Sequence, residues 1–271
     1  MPERPTGTVT APTSNRALTE PSFWDGRHRK GGPRVCYPNP RFNYLDFELC
    51  RVLREHLKPG AGGKALEVGC GSSIWLPFLA KEFGLEITGL DYSEEGLRVS
   101  RDILARNGVV GTLLKCDFRE AGPEVARAFD VVFTLGLIEH FSDPGEVLKR
   151  LAGFLRPGGL LITWVPNTAG VVVGLSRRLN RNLHDFYALL DLPALVRLHS
   201  ELGLTIVSGF YTQFLDISPL HPGFMPRVLQ KVFHVGAKII GCLLLQGQRL
   251  LPIRISSPRL SGGIVVVARS A

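Results

Sequence analysis

ALEVGCGSS, residues 65–73, is the stretch on which the reading of this chain turns. A short apolar run, Lys64 to Val68 (KALEV), enters a turn in which Gly69 and Gly71 flank Cys70. A strand that ends in such a turn lets backbone approach a nucleotide-like ligand closely. The glycine pair alone suits a pyrophosphate, as in dinucleotide-binding proteins, and suits other ligands equally. The third glycine place of G-x-G-x-x-G is filled by Ile74.

On either side of this turn the chain alternates helix and strand patterns. Asn43 to Leu57 reads as an amphipathic helix closed by Pro59-Gly60. Residues 73–83 read as a helix ended by Gly84, and Leu85 to Leu90 as the second strand. Ser93 caps a helix running to about Asn107, with Gly108 beyond it, and Gly111 to Lys115 is the third strand. Phe129 to Thr134 is the fourth strand. Asp143-Pro144 opens a helix that Pro157-Gly158-Gly159 ends, and Leu160 to Val165 is the fifth strand. Leu204 to Tyr211 and Gly263 to Ala268 are the last two strands, separated by a long basic, apolar, Pro-punctuated insertion. Short connections between apolar β-rich runs predict an α/β fold, a doubly wound parallel sheet covered by helices.

A chain of 271 residues suffices for one large domain. Residues 1–22, rich in Pro, Thr and Ser, are read as a disordered tail and 23–271 as a single domain. Within it, 23–60 form an N-terminal lid and helix, and 167–203 and 213–261 are substrate-covering insertions. The start lacks a signal-peptide core and no run of about eighteen apolar residues occurs, so a cytoplasmic protein is expected. Five cysteines without C-x-x-C pairing argue against a zinc or disulfide framework. The net charge of +8 is uneven: from residue 171 onward there are eleven Lys/Arg against four Asp/Glu. Such asymmetry points to an anionic partner: nucleic acid, lipid headgroups or an acidic substrate.

Carboxylates at the strand ends discriminate between ligands. Asp91 follows the second strand, twenty residues after Gly71, where a carboxylate takes both hydroxyls of a ribose. Asp117 and Phe118 follow the third strand, where an acceptor and an aromatic can address an adenine. Glu67 sits near the end of the first strand. Three carboxylates together repel a pyrophosphate and attract a cationic ligand. S-adenosylmethionine carries a sulfonium, an ammonium, a ribose and an adenine, and no phosphate.

With E-x-G-x-G, D-Y-S and D-F in place, the sequence resembles the class I S-adenosylmethionine-dependent methyltransferases of small-molecule type. LEVGCGSS, GLDYS, KCDF, FDVVFTLGLIEHFSDP and LRPGGLLITWVPN look like that family's successive motifs. The resemblance covers roughly residues 43–166 and, more loosely, the last two strands, and it implies an α/β fold with a Rossmann-like, doubly wound, seven-stranded sheet, mostly parallel with an antiparallel last strand. It implies that Gly69 and Gly71, with the backbone near Cys70, face the methionine part of the cofactor and that Glu67 acts through that loop. It implies that Asp91 holds the ribose with Tyr92 beside the adenine, and that Asp117 and Phe118 address the adenine. Leu135 and Gly136 would lie under the cofactor near the transferred methyl group, and the product would be S-adenosylhomocysteine. Cys70 reads as a space-filler rather than a nucleophile.

His140, in IEHF just after the fourth strand, is the candidate general base; alternatively Glu139 and His140 only pack and hydrogen-bond there. Quinone-pathway O-methyltransferases share an E-H pair at that place and are thought to use a metal near it. This chain has no further acidic cluster close by in sequence, and no metal is predicted. His184, His199 and His221 fall in the substrate-covering region and read as structural.

Two flanking segments form the expected acceptor pocket. The arm before the first helix, FWDGRHRKGGPRVCYPNPRFNY, is rich in Arg and aromatics and can close as a lid, or be an ordinary surface arm. Met225 to Leu251, on a helical wheel, puts Arg227, Lys231, His234, Lys238 and Arg249 on one side. Val228, Leu229, Val232, Phe233, Ile239, Ile240, Leu243 and Leu244 take the other, while Gly236, Gly241 and Gly247 weaken the helix and can split it. Such a helix suits peripheral contact with an anionic membrane, or a cap over the pocket or sheet. The expected activity is methyl transfer to a small-molecule acceptor, with oxygen as default and a lipophilic acceptor in view. The alternatives are N- or S-methylation of a small molecule, or a nucleic-acid (RNA) methyltransferase. Against nucleic acid, TLGLIEH lacks the Pro-Pro-aromatic turn of base amino methylators, and no Pro-Cys pair offers a cytosine nucleophile.

Overall fold

The structure, a computed structural model, describes residues 17–19, 21–29, 35–60, 62–179, 187–220, 226–251 and 254–271. Seven strands form one sheet: β1 (Lys64–Val68), β2 (Glu86–Asp91), β3 (Thr112–Lys115), β4 (Phe129–Leu135), β5 (Leu155–Pro166), β6 (Thr205–Thr212) and β7 (Gly263–Arg269). Their order is β3-β2-β1-β4-β5-β7-β6. Neighbours among β1 to β5 pair in parallel, and β7 runs antiparallel to both β5 and β6. The helices are α1 (Pro21–Arg29), α2 (Tyr44–His56), α3 (Trp75–Phe83), α4 (Glu94–Arg106), α5 (Pro144–Ala152), α6 (Val171–Leu179), α7 (Leu192–Glu201) and α8 (Arg227–Arg249).

Strand alternation builds a core on each face of the sheet. Leu66, Val132, Leu161 and Val266 face α5 and α7, packing with Val147, Leu148, Leu151 and Leu195. Ala65, Phe133, Ile162 and Val267 face the other way, packing with Leu49, Leu53, Leu76, Phe78 and Leu97 of α2, α3 and α4. Side-chain caps fix where several helices begin. Asn43, Ser93, Asp143 and Asp191 accept from the N–H groups of Asp46, Gly96, Glu146 and Ala194. The sheet reverses direction of growth at β1 and β4, so the carboxyl ends of β1, β2, β3 and β4 border one crevice.

Several expectations shift. The fifth strand starts at Leu155, which pairs with Phe129 before a register irregularity, so α5 ends at Ala152 rather than at Pro157. α8 stays a single helix of 23 residues despite its three glycines. A glycine withdraws only about 1 kcal/mol of helix propensity, which anchoring contacts outweigh. The supposed tail is ordered sooner than residue 22. Ala17 bridges Phe141, Leu18 N–H donates to the His140 carbonyl at 2.7 Å, and α1 begins at Pro21. Residues 1–16, residues 30–34 of the arm, His184, His221 and Met225 lie outside the described residues.

Candidate functional site

The β1 turn is held from beneath by β2 and α4. Gly69 N–H donates to the Leu90 carbonyl at 2.9 Å, and Ser100 Oγ donates to the Cys70 carbonyl at 2.6 Å. Gly69 has φ +78°, a conformation that favours glycine. Ser73 Oγ accepts from the N–H groups of Trp75 and Leu76, at 3.0 and 3.2 Å, and itself donates to Glu67. Glu67 thus links β1 to the start of α3 from inside the protein, 3% exposed. Burial, helped by the charge of Asp91 and opposed by the Ser73 hydrogen bond, pushes its carboxyl up to about 8. Cys70 is fully buried, its Sγ 2.6 Å from where a Cβ on Gly89 would stand. Burial holds its thiol well above the ordinary value, so it is inert packing rather than a nucleophile.

Asp91 takes the position that β2 gives it. Its Oδ2 accepts from Gly71 N–H at 2.7 Å and its Oδ1 from Ser93 N–H at 2.8 Å. A Cβ on Gly71 would stand 3.0 Å from that Oδ2, so only glycine lets the turn and the carboxylate meet. Burial raises the Asp91 carboxyl above its ordinary value, against the pull of those two donors. Asp117 differs. Burial pulls its carboxyl up, but the hydrogen bonds and charge of Arg119, with Nη2 to Oδ2 at 2.6 Å, outweigh it and hold the carboxyl below its usual range.

A cavity of about 700 Å³ opens over these groups. Gly69, Gly71, Asp91, Tyr92, Asp117, Phe118, Leu135, Gly136 and His140 all line it, whereas Glu67 and Cys70 do not. The electrostatic expectation therefore needs correction. Of the three carboxylates, Glu67 is behind the loop with its proton favoured, and Asp117 is paired with Arg119. Asp91 carries most of the negative field in the cavity.

Several wall residues carry no spacing signal. Ala17, Thr19, Trp24 and His28 come from the N-terminal arm, more than forty residues before the glycine turn. His28 Nδ1 lies 2.7 Å from Ser72 Oγ, and its Nε2 would be 2.7 Å from a Cβ on Gly71. α1 thus closes one side of the crevice, with Asp25 accepting from Ser93 Oγ at 2.5 Å. Only the aromatic and basic composition of that arm hinted at it.

At the far end a short 3-10 turn, Ile138–His140, follows β4. His140 is 6% exposed, edge-on to Trp24 at 4.9 Å and tilted against Tyr187 at 4.9 Å. Glu139 points inward; its Oε1 is 3.9 Å from His140 Nε2 and 3.3 Å from where a Cβ on Gly136 would stand. Complete burial pushes its carboxyl up to about 8, and its Oε2 has no hydrogen-bond partner. His199 packs away from the cavity, hydrogen-bonded to Thr163 and the Leu195 carbonyl. No group of three or more His, Cys, Asp or Glu among the described residues could hold a metal ion.

A seven-stranded sheet of this order, with a glycine turn, a carboxylate at the end of β2 and a cavity at its carboxyl edge, defines a nucleotide-cofactor α/β protein. Known proteins make the class narrower. Residues 66–163 match the methyltransferase domain family. A ubiquinone biosynthesis O-methyltransferase from Chromobacterium violaceum is 30% identical over 159 residues, 55% of this chain and 68% of that protein. The protein of that name from Vibrio vulnificus is 37% identical over 98 residues, 36% of this chain but only 41% of its own length. A phosphoethanolamine N-methyltransferase 2 from Haemonchus contortus, solved with S-adenosyl-L-methionine, superposes with a TM-score of 0.55 at 18% identity. It covers 83% of this chain and 52% of that one, a likeness of fold alone. The chain belongs to the class I S-adenosylmethionine-dependent methyltransferases.

Proposed function

We propose that the protein transfers a methyl group from S-adenosylmethionine to an oxygen of a small lipophilic acceptor carrying an aromatic hydroxyl. The observation that carries this reading is that one cavity is lined both by the glycine turn with Asp91 and by Trp24, Phe141 and His140. The residues fit the cofactor. The glycine turn sets the Gly71 N–H on Asp91 at the cavity wall, and Asp91 offers a half-buried carboxylate oriented by two backbone donors. When bound, S-adenosylmethionine supplies a methyl group on a sulfonium, activated for displacement.

The chain's own groups do the rest. Gly69, Gly71 and the Cys70 backbone would seat the methionine part, with Glu67 stiffening the turn through Ser73. Asp91 would hold the ribose; Tyr92, Asp117 and Phe118 would border the adenine, and Leu135 and Gly136 would form the floor. Trp24, Phe141 and Tyr187 surround His140 with apolar surface, which excludes water and suits a planar acceptor. His140 would take the hydroxyl proton as the acceptor oxygen attacks. Glu139, protonated near neutral pH, would brace the Gly136 floor without adding charge. The names of the Chromobacterium and Vibrio relatives favour oxygen over nitrogen or sulfur.

Calorimetric titration with S-adenosylhomocysteine, with NADH as control, tests the donor half. Micromolar binding that falls about a hundredfold in Asp91→Ala supports it; preference for NADH overturns it. Labelled methyl transfer to prenylated phenols, compared with amines and RNA, then tests the acceptor half, and His140→Ala should lower turnover with donor affinity kept.

A further inference from the structure

The α8 helix faces the opposite way from a cap. Val228, Val232, Val235, Ile239 and Leu243 repeat at helical spacing along one stripe, and they are 71, 63, 57, 55 and 66% exposed. The inner face is thin. Ala237, Leu245 and Gln248 are its buried members, with Gln248 Oε1 accepting from Ile255 N–H at 3.0 Å. Arg249 Nη2 and Gln246 Nε2 tie its last turn to the carbonyls of Pro40 and Arg41 at 2.8 and 3.1 Å. Lys231 and Lys238 stand exposed along one edge of the apolar stripe. Leu250 and Leu251 continue the apolar surface beyond the helix, 85 and 44% exposed.

Charge names the occupant. After Asp216 the chain has no Asp or Glu, and it has seven Lys/Arg. A second copy of this face would set like charges opposite one another, which is unfavourable. Nucleic acid would meet the lysines but not the central apolar stripe. Anionic lipid satisfies both: apolar side chains enter the acyl boundary while lysines stay at the headgroups. α6 adds a second stripe, Val171, Leu175 and Leu179, 54, 46 and 45% exposed. It leaves the carboxyl end of β5, at the sheet edge that also carries the cavity. It is tied to the segments flanking α8 through Val171 N–H to the Arg259 carbonyl and Ser176 Oγ to the Pro219 carbonyl, at 2.8 and 2.7 Å. In length and composition α8 could cross a bilayer. Its fixed contacts to the α2 side and its mid-helix lysines instead favour lying on the surface.

We propose that the outward face of α8 docks the protein, peripherally, on the surface of an anionic lipid bilayer. The inference does not depend on the methyl-transfer reading. The test is flotation of the full chain with vesicles of phosphatidylcholine alone or mixed with phosphatidylglycerol, with thermal melting as the fold control. Expected is binding at least tenfold tighter to the phosphatidylglycerol vesicles, released by high salt or a carbonate wash. Val232→Ser/Ile239→Ser/Leu243→Ser should weaken it at least tenfold, and Lys231→Gln/Lys238→Gln about fivefold per charge. If the triple variant does not fold, the lysine pair, exposed and outside the core, gives the same decision. Equal binding to both vesicle types, variants that float like the parent, or retention through carbonate would each overturn the proposal. So would a solution dimer that the triple variant converts to monomer without any vesicle binding.

Discussion

The sheet from β1 to β4 and the β6–β7 insertion are built on opposite principles. In the first, apolar side chains turn inward on both faces, and the polar groups at the strand ends are fixed by backbone donors. In the second, a 23-residue helix rests on a few inner residues and shows its apolar stripe to solvent. The first region borders a cavity; the second presents a surface. The contrast teaches that hydrophobic periodicity announces an amphipathic helix but not which of its neighbours, core or bilayer, the apolar face will meet.

Four substitutions probe that contrast, beginning with the largest effect. Leu245→Ala removes the one fully buried leucine of α8 and should lower stability by about 2–4 kcal/mol in urea unfolding. A loss below about 1 kcal/mol would mean the helix is not docked by this inner face. Glu139→Gln probes the buried end of the cavity. The folded carboxyl holds its proton up to about 8 against an ordinary value of 4.5. Between those values the folded state binds more protons than the unfolded chain, so stability falls as pH rises. The variant should lose that slope and gain on the parent as pH rises from 5 to 8, as read from unfolding midpoints. Glu67, raised for the same reason, leaves part of the slope in place. An unchanged slope would show that Glu139 is not buried as found.

Gly71→Ala puts a methyl group against the Asp91 carboxylate and the His28 ring, and should weaken S-adenosylhomocysteine binding about tenfold, or about 1.4 kcal/mol. Unchanged affinity would move the cofactor away from this turn. The smallest effect belongs to the outward stripe. Val232→Ser should shift the folding free energy by less than about 0.5 kcal/mol, because the side chain already faces water. A larger loss in the monomer would mean that the stripe is covered by protein.

Much of this molecule is legible from local chemistry. KALEV followed by G-C-G-S-S specified β1 and its turn to the residue, and Asp91 lies at the end of β2, between the apolar run and the Ser93 cap. Asn43 and Asp143 caps did the same for α2 and α5. What local chemistry left open is how distant segments meet. Whether Glu67 faces the cavity or the loop depends on Ser73 and α3; whether Asp117 is free depends on the side-chain rotamer of Arg119. The N-terminal arm supplies Trp24 and His28 to the cavity through packing of α1 on α4 and the β1 turn, which no spacing encodes. By itself the sequence determined the alternating elements, the order of the cofactor-type motifs and the basic amphipathic helix, because each is a short-range pattern. Only the tertiary structure decided which carboxylates face the cavity, which arm closes it and which way the α8 stripe points. Those depend on contacts between residues far apart in the chain, where burial and hydrogen-bond satisfaction choose among locally equivalent arrangements.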